Sequence, residues 1–235
     1  MRRNLIGQPL LWVTYHGDNA KVHTIEIDGD GGTGSNTGLI TITLDTTAHA
    51  FDLGGGTYGT LGALVAGINA IDGLCAKSYG CLEYASYFDT LDITGDGFLD
   101  DLAASALPSG STVEQVTIAD HNVVVNGTDY AGGNSVIMPV SQTGNDITVA
   151  LAVVLADAGT SAVTAELEYG FETSADKLTQ ADFVTGDSIT VNATGTTSAE
   201  QVATFEVPNG CKWVRIASIT NGNTEDATVT ASLVA

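Results

Sequence analysis

Positive charge is what this chain has least of: seven Lys and Arg stand against 28 Asp and Glu, for a formal charge of −21. A surface so acidic repels phosphate backbones, which argues against nucleic-acid binding along the body of the protein. Cysteine is scarce as well. Cys75, Cys81 and Cys211 form neither a C-x-x-C pair nor a metal-ligand pattern, and an odd number in a chain this long argues against a disulfide framework. Reduced, mostly buried thiols are expected. No apolar run approaches the roughly 20 residues that span a bilayer. The N-terminal MRRNLIGQPLLWV is too short and interrupted in its apolar part for a signal peptide. The expectation is a protein made in a cytoplasm, not exported by the general route, and without a membrane partner.

Proline, at four residues, is rare, whereas glycine, at 28, is abundant, a balance that favours strands and glycine turns. The organising stretch is Asp146–Asp157, DITVALAVVLAD. Ile147, Val149, Leu151, Val153 and Leu155 recur at every second position, with Thr148, Ala150, Ala152, Val154 and Ala156 between them. A period of two marks a strand, since successive side chains leave on opposite faces. One face is bulky and the other small yet uncharged, so both are expected to be covered, as in the central strand of a packed sheet.

Around it the chain reads as three parts. Residues 1–20 are an N-terminal arm or a first strand. Residues 21–107 are a small α+β domain with one helix on a sheet. Its strands are Val22–Ile27, Leu39–Leu44 and Ala48–Leu53, followed by Leu74–Lys77 and Leu82–Tyr84. Its helix is marked by Leu61, Leu64, Val65, Ile68 and Ile71 on one stripe, with Thr60 to cap the start and Gly73 the end. Gly62 and Gly67 inside it cost about 1 kcal/mol each relative to alanine, so packing must hold this helix. A short helical turn is expected to end at Leu107, before Pro108, and Asp100–Ser111 is the expected boundary. From 112 to 235 there are eight or nine short strands, with Asn-Gly at 126–127, 209–210 and 221–222 among the turns. That spacing implies a β-sandwich, jelly-roll-like, and a mainly β protein overall.

Motifs for chemistry are sparse. Gly29, Gly31 and Gly34 have GxGxxG spacing but lead into a strand, and Gly54, Gly56 and Gly59 open the helix without a visible βαβ crossover. No nucleotide cofactor is expected from either. The best metal candidate is Asp92, Thr94, Asp96 and Asp100 in DTLDITGDGFLDD, which follows the start of a calcium loop, with oxygens at alternate positions and then Gly97. The twelfth position is Ala103, where a bidentate Glu is wanted. An acidic turn is the plainer reading. No GxSxG elbow occurs, and His16, His23, His49 and His121 are scattered, so no catalytic residue is assigned and no enzyme is expected. Tyr79, Tyr84, Tyr87 and Phe88 offer a stacking platform or filling beneath the helix, and core filling is expected. Arg2, Arg3, Leu5, Leu10 and Trp12 form a basic and apolar N-terminus that suits docking on an acidic partner.

Two segments carry a resemblance. TYGTLGALVAGINAIDG, followed by a strand through Cys75–Lys77, is similar to a small unit of tailed-bacteriophage structural proteins. AEQVATFEVPNGCKWVRIASITNGNTEDATVTASLVA resembles the last strands of β-sandwich modules in phage head and tail proteins, where a VP-x-G turn precedes a KWVRI strand. The resemblance implies a non-enzymatic virion component, a capsid decoration protein or a head or tail accessory protein. It further implies a place on the virion surface after assembly in the host cytoplasm, the major capsid protein as partner, and self-association, most often as a trimer. A tail-fibre or carbohydrate-binding adhesive module is the alternative, with calcium at Asp92–Asp96 as its accessory.

Overall fold

The computed structural model describes residues 2–4, 9–17, 21–28, 38–54, 56–78, 85–93, 99, 101–107, 116–119, 123–124, 137–140, 146–173 and 178–234. The chain is mainly β, built from several antiparallel sheets. Its contacts divide it into two compact units, Pro9–Asp120, and His121–Ala235 together with Met1–Gln8.

In the unit Pro9–Asp120, β2 (Pro9–Tyr15) lies between β6 (Leu74–Ser78) and β8 (Val116–Ala119). A register shift between Pro9 and Leu11 interrupts its pairing with β8, and the consecutive Leu10 and Leu11 are both fully buried. Val116–Ala119, grouped by sequence with the later strands, thus supply a partner of β2. A second sheet runs β5 (Thr47–Asp52), β4 (Leu39–Leu44), β3 (His23–Asp28), β7 (Leu102–Ala106). The helical turn expected before Leu107 is this strand β7. Leu-Ala-Ala-Ser-Ala has helical propensity, but Thr24↔Ala106 and Ile25↔Ser105 pair it with β3, and tertiary pairing outweighs so weak a local preference.

Helix α1 (Leu61–Asn69) begins where its sequence requires, with the Ala63 N–H donating to Thr60 Oγ1, and it buries Leu61, Leu64 and Ile68. Its glycines have steric reasons. A Cβ on Gly62 would stand 2.7 Å from the Asp89 carbonyl oxygen of α2 (Ala85–Thr90), and one on Gly67 would stand 2.4 Å from the Tyr58 ring. The cost of two helical glycines is therefore offset by close packing on both sides. Helix α2 had no apolar stripe to announce it, and the strand expected at Leu82–Tyr84 lies outside the described residues.

The other unit contains the organising stretch as β11 (Ile147–Leu155). One sheet runs β1 (Arg2–Asn4), β16 (Ala227–Val234), β11, β14 (Ser198–Phe205), with β9 (Val123–Val124) also on β16. The second runs β10 (Met138–Pro139), β15 (Trp213–Asn221), β12 (Ala162–Gly170), β13 (Phe183–Asn192). Val149, Leu151 and Val153 of the first and Val163, Leu167, Ile189 and Ile216 of the second belong to one buried core. The opposite face of β11 is graded: Ala150 is 2% exposed and Val154 56%. Apart from the hairpin β12–β13, each connection after β11 passes from one sheet to the other. The Asn-Gly turns at 209–210 and 221–222 therefore join strands of different sheets.

Candidate functional site

The residues singled out for partner binding fall in several places. Arg2 and Arg3 lie on β1, opposite Val234 and Leu233. Leu5 lies outside the described residues. Leu10 is fully buried in the Pro9–Asp120 unit, where it serves the interior, and Trp12 is half-buried opposite Lys77 and Thr117. Of the calcium-loop residues only Asp92 is described, in an isolated antiparallel bridge with Thr60; Thr94, Asp96 and Asp100 lie outside. Among the described residues no three His, Cys, Asp or Glu side chains converge as a metal site.

That bridge has a second consequence. The Leu61 N–H donates to the Leu91 carbonyl, the Ile93 N–H donates to the Gly59 carbonyl, and Thr60 takes the Ala63 N–H. Two donors that a phosphate would use at the start of α1, the Leu61 and Ala63 N–H groups, are thus engaged by the protein itself, and β5 before it lies in an antiparallel sheet. Gly54, Gly56 and Gly59 are a turn into a helix; Gly29, Gly31 and Gly34 lie outside the described residues.

Among the described residues the histidines are dispersed; His121 lies outside them. His23 is 3% exposed, packs its ring tilted by 52° against Tyr15 at 4.2 Å between ring centroids, and accepts the Asp45 N–H at Nδ1 over 3.1 Å. His16 bonds Thr14 Oγ1 through Nε2. Cys75 and Cys211 are free thiols; burial pushes the Cys211 thiol up in pKa, and its Sγ donates to the Trp213 carbonyl. Tyr87 is fully buried, consistent with filling rather than stacking on a ligand.

Three polar constellations that sequence reasoning did not single out sit in the C-terminal strands. In the first, Arg215, 5% exposed, directs Nε and Nη2 to the same Glu168 oxygen at 2.7 and 2.6 Å. Arg215 and Glu168 face each other directly across β15 and β12. Its guanidinium lies 4.2 Å from the centroid of the Phe183 ring. Trp213 Nε1 donates to the Glu172 carbonyl at 2.8 Å, tying the segment after β12 to the same strand. The available signal was a cation between Val214 and Ile216 in a chain with only seven.

In the second, Asn221 and Asn223 are both fully buried. Asn223 Oδ1 accepts the Thr160 and Ser161 N–H groups, each at 2.9 Å, while its own N–H and Nδ2 donate to Asn221 Oδ1. Asn221 Nδ2 donates to the Glu225 carbonyl. The pair fastens two inter-sheet loops to each other. Asn223→Ala strands two backbone donors and is expected to cost about 2–3 kcal/mol. Amide hydrogen exchange at Thr160 and Ser161 should accelerate with it, and unchanged exchange would contradict this role.

In the third, the Tyr169 hydroxyl donates to Asp187 Oδ2 at 2.8 Å. Its ring crosses Gly186, where a Cβ would approach it to 2.3 Å, beside the register shift between Glu166 and Glu168. Burial first, then the bond to Asp187, pushes the Tyr169 hydroxyl well above the ordinary phenol range. The folded state holds this proton more tightly than the unfolded chain does. The resulting stability is complete below the ordinary tyrosine pKa of about 10 and is lost as pH rises beyond it. The denaturation midpoint is expected to fall above about pH 10 more steeply in the parent protein than in Tyr169→Phe; parallel pH profiles would contradict the assignment.

Compared with protein-family models and with curated proteins, the chain matches none. Chemically, the three constellations do one kind of work: each buries a polar group and satisfies it within the unit.

Proposed function

We propose that the chain is a non-enzymatic virion structural protein, a capsid decoration or other head-surface protein that stabilises the shell through repeated symmetric contacts. The single observation that carries this reading is how the C-terminal strands use their buried polar groups. Arg215, Asn221, Asn223 and Tyr169 are spent on fastening strands and inter-sheet loops together. That suits a rigid building block, the C-terminal unit acting as a jelly-roll-like β-sandwich module. The charge of −21 keeps copies and particles apart. Binding to the major capsid protein then gains strength from many equivalent contacts, with a trimer as the working oligomer.

Mass spectrometry of purified particles tests this directly. The chain is expected in large copy number, in fixed ratio to the major shell protein. Its absence from particles, or turnover of a substrate by the purified protein, sinks the proposal. Binding on a glycan array would shift the reading to a tail-fibre or carbohydrate-binding module.

A further inference from the structure

Two Asn-Gly dipeptides in the described residues are held in opposite ways, and from that contrast we infer that Asn209 is a site of spontaneous deamidation while Asn221 is locked against it. Asn209 is exposed and occupies a tight turn closed by the Cys211 N–H donating to the Pro208 carbonyl at 3.0 Å. Gly210 follows with φ +86, and a Cβ there would have only the Phe171 ring edge, 3.9 Å away, as a neighbour. Among the described residues, no hydrogen bond engages the Asn209 amide or the Gly210 N–H.

Asn221 has the same following residue and none of this freedom. Its Oδ1 accepts twice from Asn223, its Nδ2 donates to the Glu225 carbonyl, and the Gly222 N–H donates to the Ala162 carbonyl at 3.0 Å. The nitrogen that must attack is therefore engaged, and the carbon that must be attacked lies in a fully buried, immobilised amide.

The chemistry needs only water. The Gly210 nitrogen attacks Asn209 Cγ and loses its proton, the Cγ–Nδ2 bond breaks, and Nδ2 leaves as ammonia carrying that proton. Water then opens the succinimide ring. Addition at Cγ breaks the new N–Cγ bond and gives aspartate; addition at the main-chain carbonyl breaks the original peptide bond and gives isoaspartate. Either product adds a negative charge three residues before Lys212, and isoaspartate lengthens the main chain in the turn that leads into β15.

The test is to age the full chain in mildly alkaline buffer and follow both sites by peptide mapping and mass spectrometry, with Asn209→Gln and Asn223→Ala as variants. Asn209 is expected to convert on the order of a hundredfold faster than Asn221, because Asn221 reacts only after several hydrogen bonds open. Asn209→Gln should remove the fast conversion. Asn223→Ala should accelerate conversion at Asn221 and leave Asn209 unchanged; circular dichroism confirms that the variant remains folded. Equal rates at the two sites, or an Asn209 that stays intact while Asn221 converts, would overturn the inference. Should Asn223→Ala unfold, the comparison of the two sites in the parent chain still decides it.

Discussion

Leu151→Ala is expected to destabilise the C-terminal unit by about 3–4 kcal/mol, because truncating a core leucine loses its transfer free energy and leaves a cavity. Leu151 is fully buried at the middle of β11, with Ala231 of β16 and Gln201 of β14 on either side. Both neighbours are themselves held in unbroken antiparallel registers, so the site has little freedom to collapse. Val154→Ala on the same strand supplies the control. Val154 is 56% exposed, and its truncation is expected to fall within about 0.5 kcal/mol of the parent. Urea denaturation separates the two cases, with a lower midpoint at unchanged slope for Leu151→Ala. Equal midpoints for the two variants would show that the alternating pattern does not mark the interior.

Arg215→Ala should cost about 3 kcal/mol, the low end of what breaking a buried ion pair costs. The low end applies because Glu168 retains 18% exposure of its side chain, so water relieves part of the charge left behind. Loss of the stack on Phe183 adds to the effect. Arg215→Lys should recover only part of it, since an ammonium supplies neither the planar stack nor two donors in a fixed fork. The informative variant is Arg215→Met combined with Glu168→Leu. Removing both charges removes the desolvation penalty with the attraction, and stability is expected to return to the parent value or exceed it. A double variant as unstable as Arg215→Ala would mean that the pair does more than satisfy itself.

Much of the fold was legible in local pattern. Alternation placed β4 at Leu39–Leu44, where it lies, and β11 inside the organising stretch Asp146–Asp157. Thr60 announced the start of α1 because a hydroxyl in that position can accept an orphan N–H, as it does. Elements without a pattern were missed. The first half of β13, Phe183–Asp187, has no alternation to read, since the register shift and Gly186 make room there for the Tyr169 ring. Strand β7 carried a helix-favouring composition and was captured by β3.

The candidate chemistry divided along the same line. The glycine motif at Gly54–Gly59 was read as a turn into a helix because no βαβ crossover was visible around it, and the strand before it does pair antiparallel with β4. Arg215 and Asn223 went unread because what makes them matter lies elsewhere in the chain. Glu168 stands 47 positions from Arg215, and Thr160 stands 63 from Asn223.

The amino-acid order alone determines which positions face inward, where the helix begins, and how strongly like charges repel, because each of these depends on a residue and its near neighbours. Tertiary structure alone decided that successive strands pass between sheets, that an arginine is paired inside a strand, and that one Asn-Gly turn is locked while another stays open. Those outcomes rest on contacts between distant segments, which form only when the two sheets close on a common core.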